Sequence, residues 1–297
     1  MEFHNTLVLN STIVQSANLL TEIDVWRTTG FDAMEIHATK LEQYLQSGFS
    51  RGELALALHD VPVAGVGFII DIERQGRSGE DLFREADRVF DLASLVQASG
   101  VQILTGPVDV QAVIDYQHGR PAGGYQDLLR LSDTELCAVT AKNLARLADR
   151  AAAQGLCLYL EPLSWAPING LKKPLQLIDA AGRGNVKIVV DYWHCMTAGV
   201  TPDEVARLDK DLIYGVHVCD SLPFTGGIPI ETVLRDVPTG EGMLNLKEWT
   251  AAVQATGYEG WWAAETFSKK MRQGSVYSAA RDMVKLLDTL VRNRTGS

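Results

Sequence analysis

Eight short apolar runs alternate with helical stretches along this chain, and that alternation restricts the fold to parallel β-α-β units. The runs are rich in β-branched and aromatic residues, as expected of parallel strands buried on both faces. The predicted strands are Thr6–Leu9, Ala33–His37, Val61–Gly67, Val101–Leu104, Leu156–Leu160, Lys187–Val190, Tyr214–Val218 and Trp261–Ala264. The main predicted helices, whose apolar residues recur every three or four positions, are Glu80–Ser99, Asp133–Gln154, Pro174–Ala181, Leu246–Thr256 and Val276–Val291.

Two architectures are compatible with this alternation, an open doubly wound sheet and a closed (β/α)8 barrel. An open nucleotide-binding sheet requires a glycine-rich phosphate loop after an early strand. The nearest match, Gly65-Val66-Gly67, lacks the third glycine and continues into apolar Phe68. Eight units in 297 residues, with no linker-like segment between them, agree with the size of a barrel. The sequence therefore predicts an α/β fold, a (β/α)8 TIM barrel, with residues 1–297 as a single domain.

The charge balance limits the partners of this chain. Its 27 Lys and Arg residues against 37 Asp and Glu residues give a formal net charge of −10. Nucleic acids and anionic membranes bind positively charged surfaces, so we expect neither as a partner. We expect instead a small neutral molecule or a bound cation, and association into a homo-oligomer or hetero-oligomer stays open.

Cysteine usage and targeting signals bear on the compartment. The four cysteines include no CxxC pair and are predicted to be free thiols. The N-terminal residues show no basic segment followed by an apolar stretch. The longest apolar run, Val61–Ile70, is far shorter than the roughly 20 residues of a membrane helix. These features predict a cytoplasmic protein.

Four consecutive predicted strands finish in a polar residue, at the edge where barrels of this type carry their active sites. Strands five and six end in Glu161 and Asp191, and strands seven and eight end in His217 and Glu265. A buried charge is costly unless it is paired or binds a metal. Any one of these residues alone fits a salt-bridged strand end, but the four together predict a metal site.

The ligand types indicate which ion to expect. Three neighbouring carboxylates raise one another's pKa unless a cation lies among them. Oxygen ligands with a single imidazole suit a hard or borderline divalent ion. We therefore expect one bound divalent metal ion, Mn²⁺ first, with Mg²⁺, Co²⁺ and Zn²⁺ as alternatives.

The segments around these residues resemble the xylose isomerase-like TIM-barrel superfamily, in its sugar phosphate isomerase/epimerase branch. The resemblance is strongest over Leu156–Phe267 and rests on Asp191-Tyr192-Trp193-His194, Pro238-Thr239-Gly240-Glu241-Gly242, Trp249 and Gly257-Tyr258-Glu259-Gly260. It implies one divalent metal held by two Glu, an Asp and a His. In this sequence those ligands fall on Glu161, Glu265, Asp191 and His217. It also implies that His194 contacts the substrate.

The resemblance also implies a chemistry. A metal chelated by a substrate carbonyl and its neighbouring hydroxyl acidifies the adjacent C–H bond and stabilises an enediolate. In family epimerases the two glutamate ligands transfer the proton, so Glu161 and Glu265 are the expected catalytic residues. The sequence thus predicts a metal-dependent sugar or polyol isomerase or epimerase. The alternative is a lyase on the same site, either an inosose dehydratase type or a C-glycoside deglycosidase subunit that acts on keto-sugars. A non-catalytic metal-binding subunit is a third hypothesis.

One position departs from the family pattern. Family ketose 3-epimerases have an arginine six residues after the ligand histidine, where this chain has Pro223. The segment Asp220–Phe224 therefore offers no cation for a terminal hydroxyl or phosphate. This departure argues against a ketose 3-epimerase and against a phosphorylated substrate.

Further side chains are expected around the pocket. Glu35 and His37 end strand two, and we predict either that they face the pocket, where His37 contacts the substrate, or that they form a structural hydrogen-bonded pair. Trp165 and Trp193 follow strands five and six, where an aromatic face can stack on a sugar ring. The long connection Gly106–Leu131 is predicted to be a lid or an oligomer contact.

Overall fold

Residues 4–292 of the computed structural model form one closed parallel barrel in which each strand pairs with the next and β8 pairs with β1. The strands are β1 (Thr6–Asn10), β2 (Ala33–His37), β3 (Val63–Ile69), β4 (Gly100–Leu104), β5 (Cys157–Glu161), β6 (Val186–Asp191), β7 (Ile213–Val218) and β8 (Trp261–Ala264). The (β/α)8 barrel prediction is confirmed. Residues 1–3, where the sequence predicts no targeting signal, and residues 293–297 lie outside this description, so the domain bounds 1–297 stay a prediction.

Helices connect the strands on the outside of the barrel. They are α1 (Leu19–Thr29), α2 (Ala38–Gln46), α3 (Arg51–Ala57), α4 (Gly76–Leu95), α5 (Val110–Gln117), α6 (Gln126–Leu129), α7 (Asp133–Ala152), α8 (Lys172–Ala181), α9 (Tyr192–Thr197), α10 (Pro202–Val205), α11 (Glu231–Leu234), α12 (Leu246–Ala255), α13 (Lys269–Arg272) and α14 (Val276–Val291). Two short 3₁₀ turns, Gly123–Tyr125 and Lys210–Leu212, complete the set that the described residues form.

The predicted strands all exist, and two of the shifted boundaries have identifiable local causes. β3 begins at Val63 instead of Val61 because Pro62 has no N–H to donate to a strand ladder. α4 ends at Leu95 instead of Ser99, and Gln97 beyond it has a φ of 54°, which lies outside the right-handed helical region. The Gly106–Leu131 connection is not irregular throughout, since it contains α5 and α6.

The barrel interior is filled by aromatic rings from neighbouring strands. Tyr159 stacks on Tyr214 with ring centroids 4.7 Å apart, and both rings meet Trp261 edge-on. Two glycines leave the room for these rings. A Cβ on Gly65 would lie 2.1 Å from the Tyr159 hydroxyl, and one on Gly215 would lie 2.0 Å from the Trp261 ring. Side chains therefore fill the barrel interior on the amino-terminal side of the strand ends, as in other barrels of this type.

A larger apolar layer lies between the barrel and its helices and holds the strand ends in place. It includes Leu9 on β1, Leu82 and Phe90 on α4, and Leu144 on α7, all buried. The four cysteines are free thiols, as predicted. No helix within residues 4–292 has the length and apolar character that crossing a membrane requires. The carboxyl ends of the eight strands converge at one end of the barrel, and the candidate site lies there.

Candidate metal centre

The four polar residues at the ends of β5 to β8 come together in one buried cluster. Glu161 is the last residue of β5, Asp191 is the last of β6, His217 lies on β7 and Glu265 follows β8. One ligand atom from each residue lies within 4.8 Å of the ligand atoms of the others. We call Glu161, Asp191, His217 and Glu265 the four-residue cluster. The fold brings together side chains from four consecutive strands because their carboxyl ends share one rim.

His217 lies at the centre of the four-residue cluster and is fully buried. Its Nδ1 is 3.1 Å from Oε1 of Glu161 and 3.9 Å from Oε1 of Glu265. Its Nε2 is 3.0 Å from Oε2 of Glu35, which lies on β2. The ring is therefore oriented by Glu35 on one side and directs Nδ1 at the two glutamates on the other.

Glu35 is held by three side chains in the barrel interior. Tyr159 donates its hydroxyl to Oε1 at 2.7 Å, and Asn10 donates its amide to Oε2 at 2.6 Å. Burial pushes the pKa of Glu35 upward, but the charge and hydrogen bond of His217, helped by Tyr159 and Asn10, hold it below its ordinary value. Glu35 is thus a fixed anion next to the cluster. Its carboxylate is paired with His217, whereas one alternative predicted from the sequence was a hydrogen-bonded pair of Glu35 with His37.

The electrostatics of the four-residue cluster favour a cation. Burial, with the charges of Glu265 and Asp191, raises the pKa of Glu161 to about 7 against the opposing effect of His217. Burial also raises the pKa of Asp191. Burial lowers the pKa of His217, but the surrounding carboxylates outweigh that effect and raise it well above its ordinary value. A divalent ion would offset the negative charge of the three neighbouring carboxylates. Three carboxylates with one imidazole form a donor set that fits such an ion.

Arg235 is a residue of the site that the sequence analysis missed. It follows α11 in the long connection after β7 and is almost completely buried. Its Nη2 lies 2.5 Å from Oε2 of Glu265 and 3.6 Å from Oδ2 of Asp191, and its Nη1 lies 3.0 Å from Oε1 of Glu231. The segment Asp220–Phe224 contains no cationic residue, as the sequence shows. Arg235 lies further along the same connection between β7 and β8 and supplies a cation there. The only signal was that Arg235 shortly precedes the Pro238–Gly242 motif.

Gln102 is a second residue that was missed. It is a buried polar residue in the middle of apolar β4, and its Nε2 donates to Oε2 of Glu161 at 2.6 Å. Buried side-chain amides need hydrogen-bond partners. A lone Gln between Val101 and Ile103 was therefore a signal that a polar partner would face it.

His194 lies directly behind the cluster at the start of α9. Its backbone N–H donates to Oδ1 of Asp191 at 2.7 Å. Its ring Nδ1 accepts from the backbone N–H of Ser164 at 3.1 Å, so Nδ1 carries no proton. Burial, together with the nearby charges of Arg235 and His217, holds the pKa of His194 well below its ordinary value. The ring is therefore a neutral imidazole with its proton on Nε2.

The other predicted substrate contacts differ in exposure. Trp165 is half-buried, donates its Nε1 to the Pro107 carbonyl at 2.8 Å and packs against His194. Trp193 is fully buried, with its ring 5.3 Å from the guanidinium carbon of Arg235. His37 is half-buried at the end of β2. Its predicted contact with substrate, like those of the two tryptophans, stays a prediction.

The ring of His37 meets Phe68 edge-on at 5.5 Å. Burial lowers the pKa of His37, against the opposing charges of Glu265 and Glu35. His37 therefore lies close enough to the site for the charges of Glu265 and Glu35 to affect its pKa.

Comparison with known proteins agrees with this fold. The family model described as xylose isomerase-like TIM barrel matches residues 23–289. The 3-dehydroshikimate dehydratase of Pseudomonas aeruginosa is 26% identical over 93% of this chain. The chain spans only 40% of that relative's length. The inosose isomerase of Halalkalibacterium halodurans is 21% identical, and the match covers 91% of this chain and 90% of the relative.

Solved structures show the same fold. The crystal structure of the IolI protein with a bound zinc atom superposes with a TM-score of 0.84, covering 98% of this chain and 100% of that one. The two sequences are 17% identical, so this likeness concerns the fold. D-psicose 3-epimerase with D-fructose superposes with a TM-score of 0.72 at 16% identity.

Proposed function

The chain belongs to the xylose isomerase-like TIM-barrel family, and on that premise we propose that it is a divalent-metal-dependent isomerase or epimerase of a sugar or polyol. The reaction is a proton transfer through an enediolate. The observation that carries the proposal is the pair of buried glutamates, Glu161 and Glu265, whose oxygens both face Nδ1 of His217. We propose Mn²⁺ as the ion, held by Glu161, Asp191, His217 and Glu265.

The positions of the two glutamates support a proton transfer with two carboxylates. β5 and β8 are separated by β6 and β7 around the barrel, so Glu161 and Glu265 approach the cluster from different strands. A bound divalent ion supplies Lewis acidity, which polarises the substrate carbonyl and lowers the barrier to removing the adjacent proton. One glutamate removes that proton and the other returns it. The position to which it returns decides between epimerisation and isomerisation.

His194 assists by donating a hydrogen bond. Its Nδ1 is occupied by the Ser164 backbone, and its proton is therefore on Nε2. A neutral imidazole donor stabilises a developing negative charge on a substrate oxygen without carrying a charge of its own. Trp165 and His37, both half-buried, form walls of the substrate pocket in this proposal. The near full-length match to an inosose isomerase supports a cyclic keto-polyol as substrate.

A dehydratase is the second candidate, and the identity to 3-dehydroshikimate dehydratase favours it. The first step is the same, because a carboxylate removes the proton next to a carbonyl. The reaction then diverges, since the hydroxyl on the β carbon leaves as water and a conjugated double bond forms. The four-residue cluster can carry out the shared first step of both the isomerase and the dehydratase reaction. Whether the substrate has a leaving group on the β carbon decides which reaction follows.

One experiment separates these reactions. The Mn²⁺-loaded protein is incubated in D₂O with inososes, ketoses, 3-keto-glycosides and 3-dehydroshikimate, and the products are identified by mass spectrometry and NMR. An isomer or epimer with deuterium at the carbon next to the carbonyl supports the proposed function. A dehydrated product establishes the second candidate instead. If the reconstituted protein binds less than one divalent ion per chain, both the isomerase proposal and the dehydratase proposal are wrong.

A further inference from the structure

The two oxygens of Glu161 have different partners. Oε2 accepts a hydrogen bond from Nε2 of Gln102 at 2.6 Å. Oε1 lies 3.1 Å from Nδ1 of His217 and belongs to the four-residue cluster. Because the Gln102 amide nitrogen can only donate, Oε2 of Glu161 is engaged by a donor from outside the cluster.

Glu265 repeats the arrangement from the other side of the cluster. Its Oε2 accepts from Nη2 of Arg235 at 2.5 Å, while its Oε1 faces Nδ1 of His217 at 3.9 Å. Asp191 differs from the two glutamates: its Oδ1 accepts the backbone N–H of His194 at 2.7 Å, and Sγ of Cys219 lies 3.2 Å from both of its oxygens. Each glutamate of the cluster therefore has one oxygen bound by a side-chain donor from outside the cluster.

Both side-chain donors are rigidly held. Gln102 is 5% exposed and lies on β4, which pairs with β3 on one side and β5 on the other. Arg235 is 2% exposed, and its guanidinium is also bound by Glu231 and lies 4.3 Å from the centre of the Phe267 ring. Buried hydrogen bonds to charged groups are strong, and an unpaired buried carboxylate oxygen is costly. Neither glutamate can rotate its second oxygen toward the cluster without breaking such a bond.

A carboxylate binds a cation through one oxygen or through both, and a second oxygen from a glutamate fills a position that a substrate could use. We propose that Gln102 and Arg235 are positioning residues, which restrict Glu161 and Glu265 to binding the metal ion through one oxygen each. This inference rests on the proposed function. The ion then receives four protein atoms, one from each residue of the cluster. An ion with about six positions keeps about two of them for a carbonyl and its neighbouring hydroxyl.

The test counts the water molecules on Mn²⁺ in the full-length protein without substrate, by ¹⁷O-water relaxation and electron–nuclear double resonance. The wild type should hold about two waters on a six-coordinate ion. In Gln102→Met, which keeps length and removes the donor, Glu161 should bind through both oxygens and the count should fall by about one. Arg235→Met should do the same through Glu265. Matched controls are Gln111→Met and Arg51→Met, both on exposed parts of the surface.

Arg235→Lys keeps the charge beside Glu265 and should retain the wild-type water count, which separates positioning from a merely structural role. If Arg235→Met fails to fold, the Gln102→Met and Arg235→Lys results still decide the matter. A wild-type count below two, or unchanged counts in Gln102→Met with one Mn²⁺ bound, overturns the inference and leaves the proposed function standing. A wild type that binds no stoichiometric ion overturns both.

Discussion

Nε2 of His217 lies 3.0 Å from Oε2 of Glu35 in the buried centre of the barrel. The two residues come from β7 and β2, which are far apart in the chain and meet only because the barrel closes. The contact occupies one ring nitrogen and leaves Nδ1 as the atom that faces Glu161 and Glu265. Glu35 therefore orients the single imidazole of the cluster without belonging to it.

Glu35→Gln should weaken Mn²⁺ binding. A carboxylate behind a ligand histidine fixes the ring and raises its basicity, and losing such a partner typically costs about 10- to 100-fold in metal affinity. Isothermal titration calorimetry measures the dissociation constant, with Glu80→Gln on the exposed surface of α4 as the control. An affinity equal to that of the control would show that Glu35 does not orient His217.

Glu161→Gln and Glu265→Gln should each lower the turnover number of the proposed isomerase. Both amides keep the size of the side chain but lose the basic carboxylate, and general acid–base groups contribute about 10² to 10⁴-fold to a rate. The measurement is deuterium exchange and product formation at saturating Mn²⁺, with metal content determined on the same samples. Full turnover in either variant would remove that glutamate from the acid–base role.

Removing the metal should lower the melting temperature. A ligand at a hundred times its dissociation constant contributes about 2.7 kcal/mol, and in a protein of this size that corresponds to a shift of about 4 °C. The fold itself should persist, because Arg235 and His217 offset part of the carboxylate charge. Differential scanning calorimetry with EDTA and with added Mn²⁺ measures the shift. Identical melting temperatures with EDTA and with added Mn²⁺ would show that the ion does not stabilise the folded protein.

His194 should remain a neutral imidazole with its proton on Nε2 between pH 6 and 8. The reasons are the Ser164 N–H that donates to Nδ1 and the lowered pKa that follows mainly from burial. Nitrogen-15 correlation spectra report the tautomer directly, and the signal is assigned by its loss in His194→Gln. A protonated Nδ1, or a titration step in this range, would refute the donor role.

Glu73 should make stability depend on pH. Both its oxygens accept the Gly106 N–H at 2.9 Å, and burial, with a contribution from Asp71, raises its pKa to about 8 from an ordinary 4.5. Between these values the folded protein keeps a proton that the unfolded chain loses. Its contribution to the unfolding free energy should therefore fall as pH rises through this window, by up to about 1.4 kcal/mol per pH unit.

Glu73→Gln cannot ionise and should lose this slope while still accepting from Gly106. Urea unfolding at pH 6 and pH 8 gives the free energies, and the difference between wild type and variant should change by about 2 kcal/mol. Glu80→Gln, exposed on the surface, should change by nothing comparable. Parallel pH profiles for wild type and Glu73→Gln would show that Glu73 is ionised in the folded protein.

The sequence by itself determined the barrel and the rim on which the site lies. Eight apolar runs of strand length, each followed by a helical period, can bury both faces of their strands only in a parallel sheet covered by helices. The strand ends then had to share one rim, so Glu161, Asp191, His217 and Glu265 could be expected together. Each of these residues follows or ends a local pattern that can be read without a structure.

Only the tertiary structure decided what surrounds those four residues. Glu35 meets His217 across the barrel, Gln102 meets Glu161 from the neighbouring strand, and Arg235 meets Glu265 from the connection after β7. No periodicity links such partners, because hydrogen bonds between distant residues depend on strand register and loop path, not on local propensity. The local pattern thus located the four candidate ligand residues, and the closure of the barrel set the partners of their side chains.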